Sequence, residues 1–294
     1  MFRVTSTITN EYGVNFNQNK PMNLLSNVDN LEIIHGILKK DSLYVIYPSE
    51  CDKGIHSVYI LSGRIQNSHT KDIYSDGDYF QGRNLIKEVH MDVIEDTKVI
   101  IISQQPLFNH QLDYLERYNE RMLIIQDKDH YTQEHCNRTG NLCSKIAIRM
   151  NISGERLTNF IYISKIHDIG KIFIPDEILN KPGKLTKDEF EIIKTHSLKG
   201  YELVVDEMGE RSSRILLEHH EKIDGSGYPD GKLGNQMLLE SKILAVVDAF
   251  DALSSKRPYR DALSEEKAIE ILKRDAGILW DNEVVDLLVD IVNE

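Results

Sequence analysis

The sequence predicts an α+β chain in which a small β-barrel or sandwich precedes an all-helical bundle, and three observations carry that expectation. Short runs of β-branched and aromatic residues, separated by Gly, Asn, Asp and Ser clusters, fill the part before residue 106. After Pro106 the hydrophobic period lengthens from two to three or four. Beyond residue 128, histidines and aspartates recur on the apolar sides of segments that read as helix. The boundaries drawn from these changes are a β-rich domain at 1–107, a connecting helix at 108–127 and a helical domain at 128–294.

In the first part, Leu43-Tyr44-Val45-Ile46-Tyr47, Val58-Tyr59-Ile60-Leu61 and Val99-Ile100-Ile101-Ile102 read as strands. Val89, Met91 and Val93 alternate with His90 and Asp92, which turns one face of that strand inward and the other to water. Ser62-Gly63 and Asp76-Gly77 are turn signals. The connecting helix carries Phe108, Leu112, Leu115, Tyr118, Met122 and Ile125 on one stripe. Such a stripe packs on its own domain or forms the seam of a homodimer, and a dimer is the expectation for a helix joining two domains.

The helical part places each polar group that could hold a metal. His135 lies in line with Thr139, Leu142, Ile146 and Met150. Ser153 is positioned to cap the next helix, with Glu155 in its first turn. Leu157, Ile161 and Ser164 then lead at helical spacing to His167-Asp168, with Lys171 one turn on. Thr186 and Glu189 form a capping box for a third helix, in which Ile192 and Ile193 precede His196. In a fourth, Ile215 and Leu216 stand four residues before His219 and His220, and Leu244 stands four before Asp248. Five inward histidines with two inward aspartates are too costly to bury unless something pairs with them. The remaining histidines, His35, His56, His69, His90, His110 and His130, show no ligand spacing and read as ordinary.

Composition narrows the function classes. The chain has 294 residues, with 35 basic against 47 acidic side chains and a formal charge of −12. That balance argues against a polymeric nucleic acid as partner, because no basic excess exists to release phosphate counterions. Cys51, Cys136 and Cys143 make neither a disulfide framework nor a CxxC pair, which fits a reducing compartment. No apolar run approaches a membrane span and no signal core opens the chain, so a cytoplasmic location is expected.

The seven groups suit a binuclear centre and a metal-dependent phosphohydrolase. Imidazoles with a few carboxylates favour zinc, iron or manganese, and a carboxylate such as Asp168 can bridge two ions. Two such cations lower the pKa of a water and neutralise phosphodiester oxygens, and Lys171 adds a charge for the transition state.

These residues carry a family resemblance. His135, HDIGK at 167–171, IPDEILNKPGKLT at 174–186, His196, HHEKIDGSGYPDG at 219–231 and DAFDALSSKRPYR at 248–260 resemble the HD-GYP family. Gly227-Tyr228-Pro229 separates that family from the wider HD phosphohydrolases. The resemblance implies hydrolysis of cyclic di-GMP, to the linear dinucleotide or to GMP, at a centre of two divalent transition-metal ions, iron or manganese. It also implies His135, His167, Asp168 and Asp248 as ligands of one metal and His196, His219 and His220 of the other, with Asp168 bridging. Lys171 and Asp251 become catalytic partners beside the metals, and Tyr228, Arg257 and Arg260 contact substrate. Members with three metals carry a glutamate four residues before the first histidine, where this chain has Tyr131, so two metals are expected.

Two alternatives stay open. One is an HD hydrolase of another cyclic dinucleotide or phosphate ester. The other is an idle receptor that binds messenger, or a diguanylate-cyclase (GGDEF) domain, through the Gly225 to Gly231 loop. Ahead of the bundle, HSVYILSGRIQ at 56–66 followed by Asp76-Gly77-Asp78-Tyr79-Phe80 resembles a cupin-like barrel, whose expected role is sensing or dimer formation.

Overall fold

A computed structural model of the chain describes residues 22–28, 31–48, 55–83, 85–104, 121, 124, 125, 128, 133–255 and 262–294. The chain divides into two compact units, Met1–Tyr114 and Leu115–Glu294.

The first unit is built of strands, β1 (Met22–Val28), β2 (Leu31–Leu38), β3 (Leu43–Ile46), β4 (Ile55–Ser62), β5 (Ile65–Asn67), β6 (Ile73–Tyr74), β7 (Tyr79–Arg83), β8 (Val89–Val93) and β9 (Thr97–Ser103). They pair antiparallel into a five-stranded sheet of order β1-β2-β9-β4-β7 and a four-stranded sheet of order β3-β8-β5-β6. Both predicted turns form, with Gly63 and Gly77 at positive φ. Alternation does what the sequence implies: Val99 and Ile101 of β9, and Met91 and Val93 of β8, are buried with Ile34, Val58, Ile60 and Ile65.

The expectation of a closed barrel is corrected here. Among the described residues both sheets are open, with β1 and β7 as the edges of one and β3 and β6 as the edges of the other. Period-two patterning reports that one face of a strand is buried, and a sandwich satisfies it as well as a barrel; closure depends on pairing and stagger between distant strands.

The second unit is helical: α1 (Gln133–Arg149), α2 (Gly154–Lys165), a 3₁₀ turn (Ile169–Phe173), α3 (Asp176–Leu179), α4 (Lys187–Glu218), α5 (Leu239–Ser254), α6 (Glu265–Asp275) and α7 (Asn282–Val292). α1 packs on α2, α5 and α7, burying Cys143, Ile146, Phe160, Ile163, Leu244, Val247 and Leu288. The capping box forms as expected: Glu189 N–H donates to Thr186 Oγ1 at 3.2 Å and Thr186 N–H to Glu189 Oε2 at 2.7 Å. Ser153 does occupy the cap position of α2, yet its side chain accepts no capping bond. The expected third and fourth helices run together as α4 but are separated in conformation by Gly209, at φ 74° and ψ 162°.

One placement differs from the sequence reading in a way that matters. α2 stops at Lys165, so His167-Asp168 lies between a helix end and the 3₁₀ turn, and His219-His220 lies at the end of α4. Of the connecting stripe, Phe108, Leu112, Leu115, Tyr118 and Met122 lie outside the described residues; Ile125 is buried.

Candidate metal centre

The second unit brings the seven sequence-selected groups together. Asp168, His196, His219 and His220 present ligand atoms within 4.8 Å of one another, and so do His135, His167 and Asp168. Asp168 belongs to both sets. Its Oδ1 lies 3.4 Å from His196 Nε2 and its Oδ2 lies 3.4 Å from His167 Nε2. Asp248 adjoins the second set through Oδ1, 3.7 Å from His167 Nε2.

Local backbone aims the rings. His167 Nδ1 stands 2.8 Å from Ser164 O, His196 Nδ1 2.8 Å from Ile193 O and His219 Nδ1 2.6 Å from Leu216 O. Each partner is the carbonyl three residues back; His167 and His219 stand just past a helix end, whereas His196 lies within α4. A carbonyl accepts only, so each Nδ1 carries a proton and donates, which leaves Nε2 to face the centre. His196 Nε2 and His219 Nε2 are then 3.2 Å apart with lone pairs opposed, an arrangement that favours a cation between them. His167 Nε2 and Asp248 Oδ1 are buried and find no hydrogen-bond partner among the described residues. The donor set therefore fits divalent first-row ions.

Electrostatics agrees with that reading. Burial, reinforced by neighbouring imidazoles, holds His219 well below the ordinary histidine pKa and pushes His220 down to about 3, so both are neutral ligands at pH 7. Burial also lowers His196. His167 goes the other way: burial opposes its charge, but Asp168 and Asp248 outweigh it and raise the ring to about 10. Without a metal, its proton and the Lys171 ammonium, 2.9 Å from Asp168 Oδ2, supply the positive charge these carboxylates require. Burial would raise Asp168, yet Lys171 and His167 hold it well below the carboxylate range.

Asp251 stands behind His135. Its Oδ2 is 2.5 Å from His135 Nδ1, and it accepts from Arg138 Nε at 2.8 Å and Ser255 Oγ at 3.1 Å. Burial opposes its ionisation, but His135 and Arg138 take it down to about 2. It thus orients the His135 ring, an arrangement like that of the carboxylates behind metal-bound histidines.

Two motif glycines have steric causes. A Cβ on Gly170 would lie 1.9 Å from His196 O, so α4 can approach the HD turn only over a bare glycine. A Cβ on Gly227 would lie 2.4 Å from Glu221 Cα and 2.6 Å from His220 O, which presses the Gly227-Tyr228-Pro229 loop onto the ligand backbone. Glu221, fully buried, holds the same loop from within by accepting from the N–H groups of Asp230 (2.7 Å), Gly231 (3.0 Å) and Lys232 (3.0 Å).

A cavity of about 510 Å³ opens over the centre, walled by Asp168, Lys171, His196, His219, His220 and Asp248 together with Phe190, Lys194, Tyr228 and Trp280. Tyr228 lies against His220, ring centroids 4.8 Å apart. Arg257, Arg260 and Tyr131 lie outside the described residues. Sequence reasoning missed Arg138, Glu221, Phe190 and Lys194. Arg138, one turn after His135, and Glu221, beside the histidine pair, had a signal in their spacing; Lys194 and Phe190 had none beyond the face they share with a helix end.

The HD domain family model matches residues 119–284. The chain is 40% identical over 168 residues to the "Cyclic di-GMP phosphodiesterase response regulator RpfG" of Xanthomonas campestris pv. campestris (strain 8004), covering 56% of this chain and 44% of that protein. It is 36% identical over 194 residues to a "Cyclic di-GMP phosphodiesterase" of Thermotoga maritima, covering 65% and 53%. A "3'3'-cGAMP-specific phosphodiesterase 1" of Vibrio cholerae is 32% identical over 192 residues, covering 63% and 44%. The chain thus spans about half the length of the curated relatives it matches. With the HD pair and the clustered histidines and aspartates in one unit, this chain belongs to the HD domain family.

Proposed function

We propose that the second unit is a metal-dependent phosphodiesterase that hydrolyses cyclic di-GMP to the linear dinucleotide or GMP. The observation that carries this reading is the sharing of Asp168 by two ligand clusters at the floor of a cavity. His135, His167, Asp168 and Asp248 would hold one ion, and His196, His219, His220 and Asp168 the other, with iron or manganese suited to this donor set. Bound there, the ions supply Lewis acidity and a water of lowered pKa. Lys171, 2.9 Å from the shared carboxylate, offers its ammonium to a phosphate oxygen, and Asp251 fixes the tautomer of His135. Tyr228 forms the wall against which substrate lies, and Arg257 and Arg260 bind phosphate oxygens in this reading. A mixed cyclic dinucleotide, in which adenine replaces one guanine, is a second reading, favoured by the relatives named for 3'3'-cGAMP.

Residues 1–107 serve as a cupin-like sensor in this proposal, and residues 108–127 connect them to a catalytic domain at 128–294 as a homodimer seam. The Gly225 to Gly231 loop is the surface for a GGDEF partner. Among the described residues no helix is long and apolar enough to cross a membrane. The test is metal analysis of protein purified without air, with product chromatography on cyclic di-GMP and 3'3'-cGAMP. Asp168→Ala should lose metal and turnover together, and Lys171→Ala should keep metal and lose rate. Turnover that survives removal of all metal overturns the reading.

A further inference from the structure

We propose that Lys194, with Phe190 and Tyr228, forms a second phosphate subsite that holds the non-scissile phosphate of a cyclic dinucleotide and sets selectivity over single-phosphate esters. The proposal rests on the phosphodiesterase reading above and adds to it a residue that no spacing in the chain singles out.

A cyclic dinucleotide carries two phosphodiesters. The Asp168 clusters can engage only one at a time, and the other must lie elsewhere in the same cavity. Its charge calls for a further cation beside the clusters; Lys194 and Lys222 both line the cavity, and Lys194 lies over aromatic rings. Lys194 Nζ sits 5.1 Å from the centroid of Phe190 and 5.6 Å from that of Tyr228. Those two rings meet edge to face at 6.4 Å and 80°. Tyr228 in turn lies 4.8 Å from the His220 ring, so the pair of rings bridges the lysine to the metal floor. All three side chains line the cavity.

Lys194 also pairs with Glu191 at 2.7 Å, but that carboxylate is 67% exposed. An exposed pair one turn apart on a helix is weak and screened, so an incoming phosphate can take the ammonium from it. The aromatic faces do the opposite: they restrain the chain near one position without neutralising it, so little ordering remains when substrate arrives. Lysine suits this post, since its ammonium is a compact charge whose three donors rotate to meet phosphate oxygens from different directions.

The experiment compares wild type, Lys194→Met and Lys194→Arg as full-length, metal-loaded protein, with cyclic di-GMP and the single-phosphate ester bis(4-nitrophenyl) phosphate as substrates. Methionine keeps the stem against the rings and removes the charge. The ratio of kcat/KM on the dinucleotide to that on the small ester should fall about tenfold in Lys194→Met, as expected for one charge-assisted contact, with the loss in KM rather than kcat. Lys194→Arg should recover most of the ratio, and metal content should match wild type in all three. An unaltered ratio in Lys194→Met overturns the subsite, and so does a loss that is equal on both substrates or that accompanies loss of metal. Failure of wild type itself to cleave any cyclic dinucleotide while cleaving the small ester would instead remove the substrate reading, and the subsite with it.

Discussion

Replacing Gly170 by alanine tests how closely the ligand cluster depends on backbone contact. The new Cβ would stand 1.9 Å from His196 O and 2.5 Å from Gly200 N, where ordinary contact begins at 3.4 Å. Both atoms are backbone in α4, so relief by a side-chain rotation is closed off. The two segments must separate by up to about 1.5 Å, and the segments in question carry Asp168 and His196, whose ligand atoms are 3.4 Å apart. Metal–ligand distances tolerate about 0.2 Å, so a shift of this size breaks the shared site. Overpacking of this kind costs roughly 1–3 kcal/mol, and the loss of linked metal binding adds to it. Thermal unfolding in chelator isolates the first contribution, and metal content after dialysis reads the second. Gly183→Ala is the control, because its Cβ meets nothing within 4 Å and only backbone strain opposes it. A Gly170→Ala protein with the wild-type unfolding midpoint and full metal content would refute the argument.

Other outcomes follow from individual contacts. Glu221→Ala removes the buried acceptor shared by the part-buried N–H groups of Asp230, Gly231 and Lys232, and a total cost of at least roughly 3 kcal/mol is expected from about 1 kcal/mol or more for each group; hydrogen exchange at these three amides should speed up before the rest of the unit. Asp251→Asn should keep the fold but free the His135 tautomer, lowering metal affinity about 10–100-fold in competition with a chelator. In the first unit His56, half-buried beside Tyr44, is pushed down to about 4 by desolvation. Its folded pKa lies below the unfolded value of 6.5, so its contribution is complete above pH 6.5 and fades as pH falls through 4. By pH 4 the loss is roughly 3 kcal/mol, from about 1.4 kcal/mol per pKa unit, and an NMR titration of the His56 ring with a midpoint near 6.5 would contradict this.

Much of the second unit was legible because local periodicity carries it. His135, His196, His219 and Asp248 each follow or precede apolar residues by one turn, and helix geometry alone puts such residues on an inner face. The capping box at Thr186 and Glu189 was equally readable, since both of its bonds lie within four residues. Family resemblance then assigned a shared role to Asp168 that spacing could not. What only the tertiary structure decided are relations across long stretches of chain. Asp251 meets His135 over a separation of 116 residues. Gly170 touches α4 because two segments must come within backbone contact, and Lys194 reaches Tyr228 through a loop whose path Glu221 fixes. In the first unit the alternation of Val89, Met91 and Val93 determined which face is buried, while the openness of the sheets followed from which strands pair at the edges. A period of two or 3.6 specifies the direction in which a side chain leaves its own element; which group it meets there depends on the packing of elements that the period does not encode.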